Sequence, residues 1–546
     1  MIDLESAGDV VRGNFLGLRA DGTVPALSAT GGDGLLIRGA NAIVGGLGAG
    51  QGNVISGNRG RGIEVAGPGA VSARILGNII GLDPTGSSPR GNGSDGIAVE
   101  LGASGEFIGP GNLISANRGA GIALLGTRSI VVAGNTIGTD ATATRAIGNA
   151  LDGIRVDLGS SGVTIGSPAA AGSDLISGNA RAGVAIQGGS TGTVIQLDRI
   201  GTDGTGRFAI GNGIAGVLIL DAPGNVVGPG DLISGNGSST LGAGVWIGGP
   251  GSSGNVVVAD RIGTDASGRS PLGNAAIGVL IDEAPRNTIG GTAIGSTNVI
   301  SGNTAVGLRI AGLGATGNLV EGNLIGTDAS GSLAIGNGSG IGGDGVSLAN
   351  APRNTIGGSV LGAANVVSGN GFDGILVFGP GSSGNLVQGN RVGTDVAGRR
   401  ALGNGNHGIV VDGAPATAIV ANLVAGNARG GIAVSGPGAS GTLILGDVIG
   451  RGAGGQPLGN GAFGVVILNR APRTTLVGNI NVNNALGPVR VTNPAPVNRW
   501  TISTMPAQSP AKGKHRVKPQ SPSFRSRPMP ALQKLGKGHH AAKATP

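Results

Sequence analysis

The stretch "NVVVADRIGTDASGRSPLGN" (Asn255–Asn274) is followed by "AAIGVLIDEAPRNTIGGTAIGSTN" (Ala275–Asn298) and "VISGNTAVGLRIAGLGATG" (Val299–Gly317). Each phrase contains short runs of Val, Ile and Leu, which Gly, Asn or Pro interrupts every few residues. Such runs are typical of short β-strands joined by tight turns. Because no ten-residue window has the apolar period of a helix, the stretch predicts an all-β fold.

The phrase "IGTDASG" (Ile262–Gly268) returns unchanged at Ile325–Gly331 and in variant form along most of the chain, at steps of 57 to 67 residues. The variant copies are Leu16–Gly22, Ile80–Gly86, Ile137–Ala143, Ile200–Gly206, Val392–Gly398 and Ile449–Gly455. A fixed period indicates a repeat architecture. A subunit of about 20 residues with three short strands fits one turn of a single-stranded, right-handed parallel β-helix with about 4.8 Å between coils. At about 20 residues per coil, we expect roughly 20–25 coils in the repeat region.

Two columns of residues recur in the "NVISGN" phrases, and we expect the first to point into the core. It consists of Ile55, Ile114, Ile176, Ile233, Ile300, Val367 and Val424. The second consists of Asn58, Asn117, Asn179, Asn236, Asn303, Asn370 and Asn427. Asn tolerates the left-handed backbone of a tight bend, and its amide can hydrogen-bond to the coils above and below.

The charge distribution divides the chain into two predicted regions, a β-helix over residues 1–490 and a disordered tail over residues 491–546. Residues 1–498 hold 27 basic and 29 acidic residues, whereas residues 499–546 hold ten basic residues and no acid. The tail is rich in Pro, Ser and Lys, a composition that does not bury a core. The chain has no Cys and no signal peptide as written. Its first residues align with the interior of a repeat, so we expect an export signal upstream.

The motifs "NTIGG…NVISGN", "GPGSSGN" and "IGTDASG…LGN" resemble the bacterial right-handed parallel β-helix repeat of the pectin-lyase-like superfamily. They are most similar to the Gly/Asn-rich arrays of large secreted or surface proteins, and the resemblance covers about Ile2 to Asn479. It implies the fold and a secreted or cell-surface location. It does not decide the activity, because the superfamily contains lyases, glycoside hydrolases, epimerases, phage tailspikes and adhesins.

The Asp of the recurring phrase is the first candidate for chemistry, at Asp83, Asp140, Asp203, Asp265, Asp328 and Asp395. One interpretation is a turn in which the carboxylate accepts backbone N–H groups. The other is a Ca²⁺ site, which needs six to eight oxygens, whereas each copy offers one carboxylate. We expect successive copies to lie three coils apart, about 14 Å, too far to share an ion. The pattern favours the turn, and we predict no metal or cofactor.

Two further rows of acids recur. One follows a strand, at Glu100, Asp157, Asp221, Asp282 and Asp412, and the other lies in "DGI" phrases, at Asp33, Asp95, Asp152, Asp344 and Asp373. Glycosidases need two carboxyls about 5–9.5 Å apart. We expect copies within a row to be about 14 Å apart and the two rows to face opposite sides of a strand. A solvated acidic row is the favoured interpretation, with weak cation or glycan contact as the alternative.

The sequence does not contain the groups of catalytic residues that enzymes of the pectin-lyase-like superfamily use. The β-helix region has no Lys and no Asp-Asp pair, and Arg155, Arg309 and Arg391 have no acid cluster beside them. His407 occupies a slot where other copies carry Asp, which indicates a turn residue, and Trp246 is the only Trp of this region. We therefore assign no catalytic, cofactor-binding or metal residue from sequence.

The sequence favours a non-catalytic secreted or cell-surface rod, structural or adhesive, with weak binding of a polysaccharide or cell-wall polymer. The alternative is a polysaccharide lyase or glycoside hydrolase of the same fold, recognisable by three or more acid, Arg or His side chains that converge within about 9 Å. The basic tail could also bind nucleic acid without sequence specificity. No apolar run is long enough to span a membrane.

Overall fold

A computed structural model describes residues 1–19, 21–23, 32–167, 172–238, 242–338 and 343–492, and the backbone of residues 499–500. These residues belong to one compact unit, Met1–Met505. The second unit, Pro506–Pro546, lies outside the described residues, as does almost all of the predicted disordered tail. The predicted boundary at residue 490 therefore stays a prediction.

The described residues form three long parallel sheets and contain no α-helix. Sheet A has 17 strands: Ile2–Leu4, Leu35–Ile37, Ile63–Ala66, Ile97–Glu100, Ile122–Leu125, Ile154–Asp157, Ala182–Gln187, Ala215–Leu220, Ala243–Gly248, Ile277–Asp282, Val306–Ala311, Val346–Ala349, Ile375–Phe378, Ile409–Asp412, Ile432–Ser435, Phe463–Leu468 and Gly487–Val491.

Sheet B also has 17 strands: Val10–Val11, Ile43–Gly45, Arg74–Leu76, Phe107–Ile108, Val131–Val132, Thr164–Ile165, Val194–Ile195, Val226–Val227, Val256–Val257, Thr288–Gly290, Leu319–Glu321, Thr355–Gly357, Leu386–Gln388, Ala418–Val420, Leu443–Leu445, Thr475–Val477 and Arg499–Trp500. Sheet C has 16 strands: Phe15–Leu16, Val54–Ile55, Ile79–Ile80, Leu113–Ile114, Thr136–Ile137, Leu175–Ile176, Arg199–Ile200, Leu232–Ile233, Arg261–Ile262, Val299–Ile300, Leu324–Ile325, Val366–Val367, Arg391–Val392, Leu423–Val424, Val448–Ile449 and Ile480–Asn481.

The chain visits the sheets in the order A, B, C and then begins the next coil, so the predicted all-β parallel β-helix is confirmed. The predicted number of coils is too high, because the sheets hold 16 or 17 strands. Val217, Val245 and Val279 are successive partners in sheet A, and they lie 28 and 34 residues apart. A coil thus averages about 30 residues, and the recurring phrase marks every second coil rather than every third.

The core is a single column of apolar side chains between the three sheets. All seven members of the predicted inward column are fully buried, from Ile55 to Val424. In sheet A, side chains alternate between the core and the outer face, as in Ile154–Asp157, where Ile154 and Val156 are buried and Arg155 and Asp157 are half-buried. The outer face of sheet A is therefore where a functional side chain can meet a ligand.

The predicted Asn column forms a ladder, with one correction. At the corner between sheets C and A, the Nδ2 of Asn236 donates to the Oδ1 of Asn274 (3.1 Å), and the Nδ2 of Asn274 donates to the Oδ1 of Asn303 (2.9 Å). From Asn58 to Asn484 each coil contributes one Asn, because the "GN" phrases between the "NVISGN" copies supply the intervening members. The left-handed backbone lies at the preceding residue, such as Gly235 (φ 73°), where a Cβ would approach the Cβ of Ala209 to 2.7 Å.

Candidate functional site

The Asp of the recurring phrase closes a loop, as the sequence predicts. The Oδ1 of Asp203 accepts the backbone N–H groups of Arg207 (2.9 Å) and Phe208 (3.1 Å), and the hydroxyl of Thr205 donates to its Oδ2 (2.7 Å). Desolvation raises the pKa of such a carboxyl, but these hydrogen bonds outweigh it. The pKa values of Asp83, Asp140, Asp203, Asp265, Asp328 and Asp395 therefore lie below the ordinary value.

Successive loops touch, which corrects the predicted spacing. The backbone N–H of Ala266 donates to the carbonyl of Gly206 (2.9 Å), and the N–H of Ala329 donates to the carbonyl of Gly268 (2.9 Å). The loops stand two coils apart, about 10 Å. They form a continuous ridge along the corner between sheets C and A.

The "DGI" acids have a structural role on the coil that follows. The Oδ1 of Asp95 accepts the N–H of Ala120 (2.7 Å), and the Oδ1 of Asp152 accepts the N–H of Ala182 (3.0 Å). His407 occupies an Asp position of this row and makes the equivalent hydrogen bond, since its Nδ1 accepts the backbone N–H of Gly430 on the following coil (3.0 Å). Burial lowers the pKa of His407 to about 4, so its imidazole is neutral. This agrees with the predicted turn residue.

One outward-facing cluster on sheet A brings together members of both acid rows, against expectation. Arg61 precedes the strand Ile63–Ala66, and its guanidinium contacts both oxygens of Glu100, with Nη1–Oε1 at 3.0 Å and Nη2–Oε2 at 2.8 Å. The same Nη1 lies 3.1 Å from the Oε1 of Glu64. The backbone N–H of Arg61 donates to the Oδ1 of Asp33 (2.6 Å). We call Asp33, Arg61, Glu64 and Glu100 the acid–arginine cluster.

Neighbouring coils hold the cluster in place. Ile63 and Val65 are buried in the core, so Glu64 between them faces outward. Glu100 ends the next strand of sheet A, where it pairs with Ala66. Because Glu64 and Glu100 contact one guanidinium nitrogen, their nearest oxygens are separated by no more than twice a hydrogen-bond length.

The two carboxyls of the cluster differ in their surroundings. Desolvation and a hydrogen bond with Asp33 raise the pKa of Glu64 to about 7, although Arg61 opposes the shift. Glu64 is therefore substantially protonated near neutral pH. Glu100 is ion-paired to Arg61 through both of its oxygens.

Glu64 belongs to neither of the recurring acid rows, so the repeat pattern did not predict it. The equivalent outward positions on adjacent coils are Leu36 and Ala98. A single acid in "GIEVAG", where other copies read "GIAV" or "GIRV", was the available signal. This is the kind of non-repeating departure that a binding or catalytic site requires.

A cavity of about 590 Å³ opens beside the cluster, on the corner between sheets C and A. Its lining includes Arg59, Arg90 and Arg118, which come from three successive coils, together with Thr23. Arg59 is two residues from Arg61, so the cavity adjoins the acid–arginine cluster. No carboxylate within the described ranges lies at ion-pairing distance from these three guanidinium groups, although those ranges hold every acid of the chain. We call the cavity and the cluster together the N-terminal cleft.

The remaining candidates do not converge into a comparable site. Trp246 is half-buried on the outer face of sheet A, where it packs against Leu218 and Leu280. Arg309 lies near Asp282 and Asp344, and desolvation lowers its pKa against the pull of both acids. Across the described ranges, no group of His, Asp or Glu has the geometry to hold a metal ion. These ranges also contain no helix of the length and apolarity that crossing a bilayer requires.

The outer surface is more basic than the composition suggests. Nine acids are buried and have raised pKa values because burial disfavours the carboxylate: Glu106, Asp152, Asp174, Asp198, Asp231, Asp260, Asp344, Asp373 and Asp447. None of the arginines in the described ranges is buried. Acids thus concentrate inside the rod and guanidinium groups outside, which favours an anionic ligand.

Comparisons with solved structures find proteins with a similar fold. The periplasmic alginate epimerase AlgG is 13% identical over 83% of this chain and 78% of its own, with a TM-score of 0.33. DFA-IIIase from Arthrobacter chlorophenolicus A6 is 13% identical over 66% of this chain and 83% of its own, with a TM-score of 0.35. Tailspike protein 2 of the Escherichia coli bacteriophage CAB120 is 10% identical over 70% of this chain and 39% of its own, with a TM-score of 0.27.

No protein-family model matches the chain, and no curated protein sequence matches it. The chain has the parallel β-helix architecture that its sequence resemblance to the pectin-lyase-like superfamily implies.

Proposed function

We propose that this protein acts on an acidic polysaccharide at the N-terminal cleft, as a glycoside hydrolase. The observation that carries the proposal is the pair Glu64 and Glu100, two outward carboxyls joined by one guanidinium nitrogen of Arg61. Desolvation raises the pKa of Glu64 to about 7, and Glu100 is ion-paired to Arg61 through both oxygens. Hydrolysis of a glycosidic bond needs such a pair.

Each residue of the cluster has a role in this proposal. Glu64 donates its proton to the leaving glycosidic oxygen, while a carboxylate oxygen of Glu100 bonds to the anomeric carbon as that carbon's bond to the leaving oxygen breaks. Water, deprotonated by Glu64, then displaces Glu100 from the anomeric carbon and restores both side chains. Their close approach fits the shorter carboxyl separation of retaining enzymes better than the longer one of inverting enzymes. Arg61 orients both side chains, and Asp33 helps to keep Glu64 protonated.

The basic cavity supplies the substrate class. Arg59, Arg90 and Arg118 line a space of about 590 Å³, within the range of ordinary ligand sites. Guanidinium groups pair well with carboxylate and sulfate groups. A polymer that carries such groups would extend from the cavity across the outer face of sheet A, where it would meet Glu64.

The test is turnover on an array of acidic and neutral polysaccharides, scored as new reducing ends, with the full chain and three variants. Glu64→Gln and Glu100→Gln should each lower kcat by about 100-fold or more, since each removes a group used in the transition state. Asp412→Asn is the matched control, because Asp412 lies half-buried at the end of a sheet A strand far from the cleft. Full activity of Glu64→Gln would rule out the assignment.

The second candidate is a non-catalytic rod, secreted, periplasmic or on the cell surface, that adheres to polysaccharide. The specific observation in its favour is the ridge of stacked loops, which repeats every second coil. Such a ridge would offer many equivalent weak contacts. Binding on the array without new reducing ends from any substrate would favour this candidate over the enzyme.

A further inference from the structure

The corner between sheets B and C holds an internal ladder in which five members are Asp rather than Asn. We call it the B–C ladder, and it comprises Asn53, Asn78, Asn112, Asn135, Asp174, Asp198, Asp231, Asp260, Asn298, Asn323, Asn365, Asn390, Asn422, Asp447 and Asn479. All are buried, one per coil. Four of the five Asp occupy consecutive coils.

An Asn of this ladder makes a fixed set of contacts. In Asn323, Oδ1 accepts the Nδ2 of Asn298 from the preceding coil (2.9 Å). Nδ2 donates to the Oδ1 of Asn365 on the next coil (2.9 Å) and to the carbonyl of Ile289 on the preceding one (2.9 Å). The Nδ2 position thus faces acceptor oxygens, so the atom that occupies it must be a donor.

In each Asp of the ladder, one carboxyl oxygen takes the position of the Asn Oδ1 and, like it, accepts a hydrogen bond from the ladder residue of the preceding coil. The Oδ1 of Asp231 accepts the N–H of Asp198 (2.8 Å), and the Oδ1 of Asp260 accepts the N–H of Asp231 (2.9 Å). The second oxygen stands in place of the amide nitrogen. Its surroundings divide the five residues into two kinds.

Asp174 and Asp231 turn their second oxygen toward a donor. The Oδ2 of Asp174 accepts the N–H of Gly166 (3.1 Å), and the Oδ2 of Asp231 accepts the N–H of Gly228 (3.0 Å). The Oδ2 atoms of Asp198, Asp260 and Asp447 are equally buried, but they make no hydrogen bond within the described ranges. Asp198 and Asp260 therefore alternate with Asp174 and Asp231 along the ladder.

We propose that Asp198, Asp260 and Asp447 are carboxylic acids in the folded protein, and that each donates its Oδ2–H where an Asn would donate its amide. For Asp198 the acceptor is the Oδ1 of Asp231, and for Asp260 it is the Oδ1 of Asn298. In the ionised form, Oδ2 would be a buried anion among acceptor oxygens, an arrangement that is costly without a donor. The ladder thereby becomes a pH-sensitive segment at the middle of the rod.

The electrostatics agree with this pattern. Desolvation, and then the charges of Asp174 and Asp231, raise the pKa of Asp198 well above the ordinary value. Desolvation and Asp231 do the same for Asp260, and desolvation raises the pKa of Asp447 to about 7. The titratable groups that face one another here are the ladder aspartates themselves. Arg199 and Arg261 follow two of them in sequence, but they lie on the half-buried or exposed outer side of sheet C.

Because the pKa values of Asp198, Asp260 and Asp447 are raised in the folded protein, its stability should decrease as pH rises. A carboxyl whose folded pKa is raised contributes stability that is complete below its ordinary pKa and is lost as pH rises through the folded pKa. Coils that contain Asp174 to Asp260 should therefore loosen in alkali, because like charges then accumulate about 4.8 Å apart in a dry corner.

The experiment is thermal unfolding of the full chain between pH 5 and pH 9. The double variant Asp198→Asn with Asp260→Asn should lose part of the alkaline decline of Tm and should be more stable than wild type at pH 9. The matched double variant Asp174→Asn with Asp231→Asn should have a lower Tm than wild type at both ends of the range, since its amides would meet the N–H groups of Gly166 and Gly228.

A vibrational spectrum provides an independent readout. Wild type at pH 7 should have a carbonyl band of protonated carboxyl, and the Asp198→Asn, Asp260→Asn variant should lose intensity in that band. A variant less stable than wild type at pH 9, or an unchanged band, would overturn the proposal. Neither result bears on Glu64, so the proposal and the enzymatic function fail independently.

Discussion

At the residue scale, aspartate has three roles that its surroundings determine. In the ridge loops it is a carboxylate that backbone N–H groups stabilise, in the "DGI" phrases it accepts a backbone N–H of the following coil, and in the B–C ladder it is an isostere of Asn. The turn role was predictable, since "TDxxG" carries its own geometry. The ladder role was not, because sequence does not tell how many donors reach a buried oxygen. Glu64 was missed for another reason, as it becomes conspicuous only when the coils are aligned.

Glu106 carries a prediction at this scale. Its side chain is fully buried, both carboxyl oxygens lack a partner within the described ranges, and Ala73 and Ile130 flank it on adjacent coils. Desolvation raises its pKa to about 7, so its stabilising proton is lost as pH rises through neutrality. Glu106→Met should raise stability by about 1–3 kcal/mol, with the larger gain at pH 8 than at pH 5. Thermal melts at the two pH values test this, and a loss at pH 8 would contradict it.

The inward column carries a second prediction, which a pair of adjacent residues tests. Ile262 is fully buried, whereas Arg261 beside it in the same strand is exposed. Ile262→Asn should cost about 4 kcal/mol, because it removes apolar burial and leaves an amide without partners. Arg261→Asn should change stability by less than about 0.5 kcal/mol. The denaturation midpoints of the two variants, measured by chemical denaturation, test this difference. Equal midpoints would contradict the assignment of Ile262 to the core and Arg261 to the surface.

At the element scale, the unit is a coil of three strands and three corners. The stretch Asn255–Gly317 covers two coils rather than the three predicted, because long corners such as the ridge loop resemble strand-bearing repeats in sequence. The sequence therefore predicted the strands and the inward column correctly but counted too many coils. Which corners are long depends on hydrogen bonds between coils, and these have no local signature.

The ridge loop carries a prediction of its own. Asp203→Ala removes the acceptor of two backbone N–H groups and one hydroxyl, so it should cost about 1–3 kcal/mol at pH 7. Because the folded pKa of Asp203 is lowered, its contribution is present above the ordinary pKa and lost as pH falls through the folded value. The difference in Tm between variant and wild type should shrink toward pH 3. A difference that grew in acid would contradict the assignment.

At the scale of the whole molecule, repetition made the fold predictable and concealed the site. Acids are buried as acceptors and arginines remain outside, so the outer surface is basic although the sequence of the β-helix region is nearly neutral. The N-terminal cleft departs from the repeat in two places, at Glu64 and at the three arginines of the cavity. The cleft forms where residues of three successive coils become neighbours. The number of residues in each coil determines which residues meet there.

The most direct test is calorimetric binding of polygalacturonate and alginate, with dextran as the neutral control, to the full chain and two triple variants. Replacing Arg59, Arg90 and Arg118 with Gln should weaken binding of the acidic polymers at least about tenfold, since three charge-assisted contacts are lost. Replacing Arg286, Arg353 and Arg473, which are exposed at the corner between sheets A and B, should leave Kd within about twofold of wild type. Equal losses from both variants, or equal affinity for dextran, would contradict recognition of an acidic glycan at the N-terminal cleft.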